Sequence, residues 1–146
     1  MPELPEVETV KNQLSPHIIG RTSTKVTLLW DRMVKGQDAA EFVRGIAGQK
    51  ITDIARHGKY LIVHLNSGEN LIIHLKMTGS LLLERDMVEP PKFTRAIIHL
   101  DDGQNIYFRD PPKRSSQLLQ NYTLFAIIIT MRNNDNGEAA IFKMLE

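Results

Sequence analysis

Cysteine is absent from the 146-residue chain. Disulfides and thiolate metal centres are thereby excluded, and the absence fits a reducing compartment. Long hydrophobic runs are missing too: the longest, Leu124 to Ile129, falls far short of the roughly 20 apolar residues that cross a bilayer as a helix. The opening residues lack the basic start and apolar core of a secretory signal. Neither sign of charge is in surplus, since 18 Lys and Arg against 17 Asp and Glu leave +1 at pH 7. Composition therefore makes no case for nucleic acid, a membrane surface or an acidic partner, and any basic surface must come from how the cations are distributed. No internal repeat or low-complexity tract interrupts the chain. What is present is 42% hydrophobic content, enough for one domain of this length to bury roughly two-thirds of its unfolded surface. The reading is one soluble, intracellular globular unit.

Leu4, Val7, Val10 and Leu14 recur at helical spacing, Pro5 suits a first turn, and Pro16 is expected to stop the helix near Ser15. From Lys25 the pattern turns to period two, with Val26, Leu28 and Trp30 on one face, and continues after a polar loop in Glu41–Ala47 and Lys50–Arg56. Tyr60–Leu65 and Asn70–Leu75 flank Asn66-Ser67-Gly68 as a hairpin, and Arg95–Leu100 and Gln104–Phe108 flank Asp101-Asp102-Gly103 as a second. Beyond Pro112 a polar stretch leads to strand-like Tyr122–Met131, the turn residues Asn133-Asn134-Asp135-Asn136-Gly137 and a last apolar segment, a pattern that fits a closing hairpin. Short, closely spaced strands argue a β-sandwich rather than a parallel sheet.

The chain opens MPELPEVETV. Removal of Met1 would make Pro2 the amino terminus, a secondary amine with a reference pKa of about 8 and an appreciable neutral fraction at pH 7. Such an amine condenses with a sugar aldehyde or attacks an anomeric carbon to give an iminium. Glu3 is adjacent and Glu6 lies near the helix start, so a carboxyl group is available as proton donor or shuttle. The competing reading is that Pro2 is incidental and that Glu3, Glu6 and Glu8 complement the helix dipole. Arg56-His57-Gly58-Lys59-Tyr60 gathers cations around a glycine at a strand end, suited to a phosphate or simply to solvent. His74-Leu75-Lys76-Met77-Thr78-Gly79-Ser80 runs from a strand into a turn with a methionine at its tip. That methionine is either core or an apolar wedge between bases, and His74, alternating with Ile73 and Leu75, is expected on the surface.

Taken together, MPELPEVETV, RHGKYLIVHL, LIIHLKMTGSL and YFRDP resemble the formamidopyrimidine-DNA glycosylase family, bacterial repair enzymes that excise oxidised purines and nick the abasic site. The likeness covers residues 1–111, and Leu4-Pro5-Glu6-Val7-Glu8 favours the purine-excising branch over the endonuclease VIII branch, which typically carries glycine where Leu4 stands. It implies a mainly β (α+β) fold, a two-sheet antiparallel β-sandwich with an N-terminal amphipathic helix, agreeing with the strand pattern. Residues 1–112 would form the glycosylase-like domain, and 113–146 a divergent tail completing it.

By the resemblance, Pro2 is the Schiff-base nucleophile, Glu3 the acid that protonates the sugar ring oxygen or departing base, and Glu6 a supporting carboxylate. Lys59 contacts a phosphate near the lesion and assists β-elimination. His74, Arg109 and Lys113 are further DNA contacts, and Met77 fills the space left by a flipped nucleotide. Three positions depart from the family pattern. Pro112 stands where an arginine pairs with the orphaned base, Arg114 where a phenylalanine wedges the stack, and Phe93 where a polar DNA contact, often histidine, is usual. The family's helix-two-turn-helix half and carboxy-terminal zinc finger have no counterpart, so no zinc or other cofactor is expected. Damaged double-stranded DNA is the expected partner, bound weakly, in a bacterial cytoplasm at the nucleoid, with no membrane. Three alternatives stay open: a glycosylase/AP lyase of reduced activity, a non-catalytic module for damaged DNA or a partner polypeptide, and a truncated relic.

Overall fold

The computed structural model of the chain describes residues 4–30, 34, 38–74, 79–110 and 127–132, with residues 4, 5 and 127–132 described by their backbone. Helix α1 runs Leu4–Ile18, burying Val7, Leu14 and Ile18 at the spacing that puts them on one face. It does not stop before Pro16. The Ser15 hydroxyl donates to the Lys11 carbonyl at 2.7 Å, and beyond the proline Ile19 N–H bonds to the Ser15 carbonyl at 3.2 Å. Burial of Ile18 holds this last turn, so packing overrides the missing proline N–H. Gly20, at φ +91°, then turns the chain toward the sheets.

Two four-stranded antiparallel sheets follow. One is ordered β1 (Ser23–Leu28), β6 (Thr94–Leu100), β7 (Gln104–Arg109), β5 (Ser80–Arg85). The other is ordered β2 (Ile51–His57), β3 (Tyr60–Leu65), β4 (Glu69–His74), β8 (Ile127–Arg132). Val26, Ala96, Ile98, Ile106 and Phe108 from the first face Ile54, Leu61, Val63, Leu71 and Ile73 from the second, in one core that α1 and helix α2 (Ala39–Ile46) close at its edges. This is the two-sheet sandwich expected from the strand pattern.

One local expectation is corrected. Glu41–Ala47, expected to continue the period-two pattern, falls largely in helix α2, Ala39–Ile46, whose Phe42 and Ile46 are buried four residues apart. Ser80–Arg85 is strand β5, which the sequence pattern does not mark because Leu81-Leu82-Leu83 is an unbroken apolar run without alternation. Of the stretch Tyr122–Met131, the described strand is Ile127–Arg132, paired with β4; the remainder of the expected closing hairpin lies outside the described residues.

Because β5 and β6 both pair antiparallel with β7, they run parallel, and residues 86–93 must cross the length of that sheet. The crossing covers its outer face, which is why Tyr107, pointing away from the core cluster, is 0% exposed. The Tyr107 hydroxyl donates to the Arg85 carbonyl at 3.2 Å and accepts from Met87 N–H at 3.1 Å and from Asn105 Nδ2 at 3.0 Å. Asn105 Nδ2 also donates to Asp86 at 2.7 Å. Tyr107→Phe strands the Asn105 and Met87 donors and is expected to cost about 1–3 kcal/mol in a urea melt. Beside this network, burial and then the charge of Lys25 push the His99 imidazole below its ordinary pKa, against the opposing pull of Asp86, while its Nε2 lies 2.8 Å from the Thr27 hydroxyl.

Candidate functional site

The pairing of His57 with Tyr60 leaves Gly58 and Lys59 as a two-residue turn between β2 and β3. Gly58 has φ +59° and Lys59 is not among the positive-φ residues, the pattern of a type II′ turn with glycine in its first position. The Arg56-His57-Gly58-Lys59-Tyr60 strand end is therefore a hairpin tip, with Lys59 carried at its apex and partly exposed. No atom would obstruct a Cβ on Gly58, so the glycine is required by backbone torsion alone. Gly58→Ala is expected to destabilise the fold by about 1 kcal/mol, read by thermal melting.

His74 pairs with Tyr60 across β3 and β4. Their ring centroids are 4.7 Å apart with planes at 63°, edge to face. His74 is 9% exposed, so the expectation of a surface histidine is corrected. Leu71-Ile72-Ile73 carries no alternation, the mark of a strand covered on both faces, and Ile72 on the outer side is buried like its neighbours. His74 thus steadies Tyr60, and through it the Lys59 turn.

The start of α1 is tied to the same hairpin. Arg56 Nε donates to Glu8 Oε1 at 2.7 Å and its Nη1 donates to the Gly58 carbonyl at 3.0 Å. The other Glu8 oxygen meets Lys11 Nζ at 2.9 Å. The bond from Lys11, followed by that from Arg56, holds the Glu8 carboxyl below its ordinary pKa. Glu6, exposed in the first turn, is carried on this anchored end. The sequence alone marks Glu8 only as a helix-dipole residue and Arg56 only as one of the cations near Gly58. Glu8 with Lys11 at i, i+3 is legible in the chain, whereas its bond to Arg56 is tertiary.

The other sheet meets this end of the sandwich. Residues 75–79 are all that separate the end of β4 from the start of β5, where Ser80 pairs with Arg109. Arg109 is half-buried, and its Nε donates to the Lys92 carbonyl at 3.1 Å. Asp110 N–H donates to the Phe93 carbonyl at 2.9 Å. The Arg95 guanidinium lies 5.0 Å from the Trp30 ring centroid, a cation–π contact, and reaches the Asp110 carbonyl at 3.4 Å. Topology thus brings Lys59, His74 and Arg109 to the sandwich end that also receives the first turn of α1 and Glu6. Pro2, Glu3, Met77 and Lys113 lie outside the described residues, as do Pro112 and Arg114. Among the described residues, no group of three or more His, Asp and Glu side chains is placed to hold a metal ion, and no helix is long and apolar enough to cross a membrane.

The architecture is that of the DNA repair glycosylases built on an antiparallel sandwich. Residues 1–116 match the formamidopyrimidine-DNA glycosylase N-terminal domain, and the chain belongs to that family. The formamidopyrimidine-DNA glycosylase of Roseiflexus sp. (strain RS-1) is 38% identical over 114 residues, 77% of this chain and 42% of the relative. That of Carboxydothermus hydrogenoformans is 40% identical over 110 residues, 75% of this chain and 41% of the relative. In solved structures, a complex of Lactococcus lactis FPG (MutM) with FAPY-dG-containing DNA shares the fold with a TM-score of 0.80 at 24% identity, covering 97% of this chain and 48% of that one. MutM in complex with carbocyclic 8-oxo-G-containing DNA gives 0.81 at 25% identity, covering 97% and 48%. The chain spans about two-fifths of the length of these curated relatives.

Proposed function

We propose that this chain carries the nucleophile-bearing side of a DNA glycosylase/AP lyase that acts on oxidised purines, at reduced activity. The observation that supports it most directly is the Arg56 guanidinium bonded to both Glu8 and the Gly58 carbonyl. It couples the start of α1, two residues from Glu6, to the turn that presents Lys59. The first turn of α1, which follows the proposed nucleophile in the chain, and a cation suited to a phosphate thereby share one surface, which supports a reading of positioned covalent catalysis on DNA.

In the proposed reaction the Pro2 amine attacks the anomeric carbon of the damaged nucleoside as Glu3 delivers a proton to the ring oxygen or departing base. The base leaves with the glycosidic electron pair; the amine then gives up its proton as the C1′–O4′ bond breaks and the ring oxygen takes a proton to become a hydroxyl, leaving an iminium between the Pro2 nitrogen and C1′. This iminium is the electron sink for loss of the neighbouring proton and elimination of the 3′ phosphate. Glu6 supports proton movement, Lys59 binds a phosphate and assists the elimination, and the covalent route calls on no cofactor. Arg109 and Lys113 contact the backbone, His74 acts through Tyr60, and Met77 fills the vacated stack. Residues 1–112 form the working unit in this reading and 113–146 complete it, supported by the pairing of β8 with β4. The setting is a bacterial cytoplasm at the nucleoid.

The described end of the sandwich offers DNA phosphates few cations, so in this reading binding is weak and is best seen at low salt. The test is to incubate the protein at low ionic strength with duplexes containing 8-oxoguanine or an abasic site and to add borohydride, which reduces the iminium to a stable amine. A covalent adduct is expected on both. No adduct on the abasic duplex would overturn the proposal. The second reading, a non-catalytic module for damaged DNA or a partner polypeptide, draws on Pro112 and Arg114 standing where the family carries arginine and phenylalanine. It predicts retention of abasic DNA with no adduct.

A further inference from the structure

Phe93 is the sole non-glycine residue with positive φ among the described residues, at +64°. A bulky side chain in that region is strained, and the strain persists only where surrounding structure enforces it. Here the enforcement is visible on both sides. Upstream, Thr94 N–H and its hydroxyl both donate to the Pro91 carbonyl, at 3.2 Å and 2.6 Å, and Arg109 Nε fixes the Lys92 carbonyl at 3.1 Å. Downstream, Asp110 N–H holds the Phe93 carbonyl at 2.9 Å. The backbone must reverse sharply here because the crossing segment 86–93 ends and β6 begins. Glycine would make the turn without strain.

Burial of the ring does not account for phenylalanine at this position. Phe42 and Phe108, the other described phenylalanines, are 1% and 3% exposed, whereas Phe93 is 37% exposed. A lone exposed apolar side chain is ordinary; one held at a strained torsion, beside exposed Lys92 and the partly exposed Arg109, is not. An exposed aromatic ring in a segment that also carries cations is an arrangement that accepts a nucleobase while its phosphates are held nearby.

We propose that Phe93 is a stacking platform for an unpaired nucleobase, one that the DNA presents outside its own stack at this end of the sandwich. The inference rests on the reading of that end as the DNA-facing surface. It adds a contact with the flat face of a base, indifferent to which base is presented, to the backbone contacts of Lys59 and Arg109. The protein would therefore favour DNA containing a bulged or orphaned base over an uninterrupted duplex of the same length.

Two fluorescein-labelled probes test this, one a fully paired duplex and the other the same duplex with a single bulged base, each titrated at low salt with wild type and with Phe93→Gly, Phe93→Trp and Lys59→Ala. Phe93→Gly is expected to bind the bulged probe about tenfold more weakly and the paired probe unchanged. Its melting temperature should equal or exceed that of wild type, because glycine relieves the torsion. Phe93→Trp should keep the preference for the bulge and show fluorescence quenching by that probe beyond what Trp30 alone gives in wild type. Lys59→Ala should weaken both probes alike, reporting on the DNA-facing surface itself. Equal affinity of Phe93→Gly and wild type for the bulged probe, with Lys59→Ala still weakened, would overturn the stacking proposal and leave the surface reading standing. A loss in Phe93→Gly that is the same on both probes would overturn it as well, assigning Phe93 a structural role. Wild type that retains neither probe would overturn both.

Discussion

Protein that retains Met1, or carries one added residue ahead of Pro2, is expected to form no borohydride-stable adduct with abasic DNA while still being retained by that DNA at low salt. Acylation turns the Pro2 nitrogen into a planar amide whose lone pair is delocalised into the carbonyl. The new terminal amine is displaced by about 3.8 Å, one Cα–Cα step. A displacement of only ~1 Å can cost a factor of about 100 in a reaction that depends on near-attack geometry. The intact mass of each preparation shows which terminus is present, so the comparison needs no substitution in the folded body. With the free terminus, trapping should rise as the pH is raised from about 6.5 toward 8, because the neutral amine is the nucleophile and its reference pKa is about 8. An adduct of undiminished yield on the blocked protein would move the nucleophile to a lysine, and would reopen the roles given to Glu3 and Glu6.

How far the chain discloses such a site depends on the range of the interactions that build it. The spacing of Val7, Val10 and Leu14 and the turn at Asn66-Ser67-Gly68 are local signals, and α1 and the β3–β4 hairpin follow them. Gly58-Lys59 is local too, and the structure makes it the tip of a tight turn. Where tertiary packing competes with a local rule, the rule loses. Helix α1 passes Pro16 because Ile18 is buried, and His74 lies inside because β4 is covered on both faces. Phe93 is the extreme case. Nothing in Pro91-Lys92-Phe93-Thr94 announces a positive φ, which is imposed by the end of a crossing segment and by a bond from Asp110. The contact between Glu8 and Arg56 spans 48 residues of chain, so no spacing rule reaches it. Only the folded chain discloses it, although it orients the segment on which the proposed chemistry depends.

That contact carries the second large expectation. Glu8→Gln and Arg56→Ala should each lower the yield of trapped abasic DNA by about 100-fold, while the urea midpoint barely moves and binding of undamaged duplex changes little. The pair is partly exposed, and ion pairs in contact with solvent add little to global stability. Its geometry is nonetheless specific, since Arg56 engages Glu8 and the Gly58 carbonyl through two different nitrogens, and the first turn of a helix frays unless something fixes it. If the two residues act as one positioning unit, the double variant should be no worse than either single one. Additive losses would mean separate roles. The pH dependence has a definite sign. The bonds from Lys11 and Arg56 hold the folded Glu8 carboxyl below its ordinary pKa, so the stabilisation is fully present above the ordinary glutamate range. It is lost only as the pH falls through the lower, folded value. Glu8 therefore stays charged throughout the range in which the Pro2 amine gains its lone pair, and the alkaline rise in trapping should keep its midpoint in Glu8→Gln while its plateau drops. A shifted midpoint would show Glu8 acting on the amine's protonation rather than on its position.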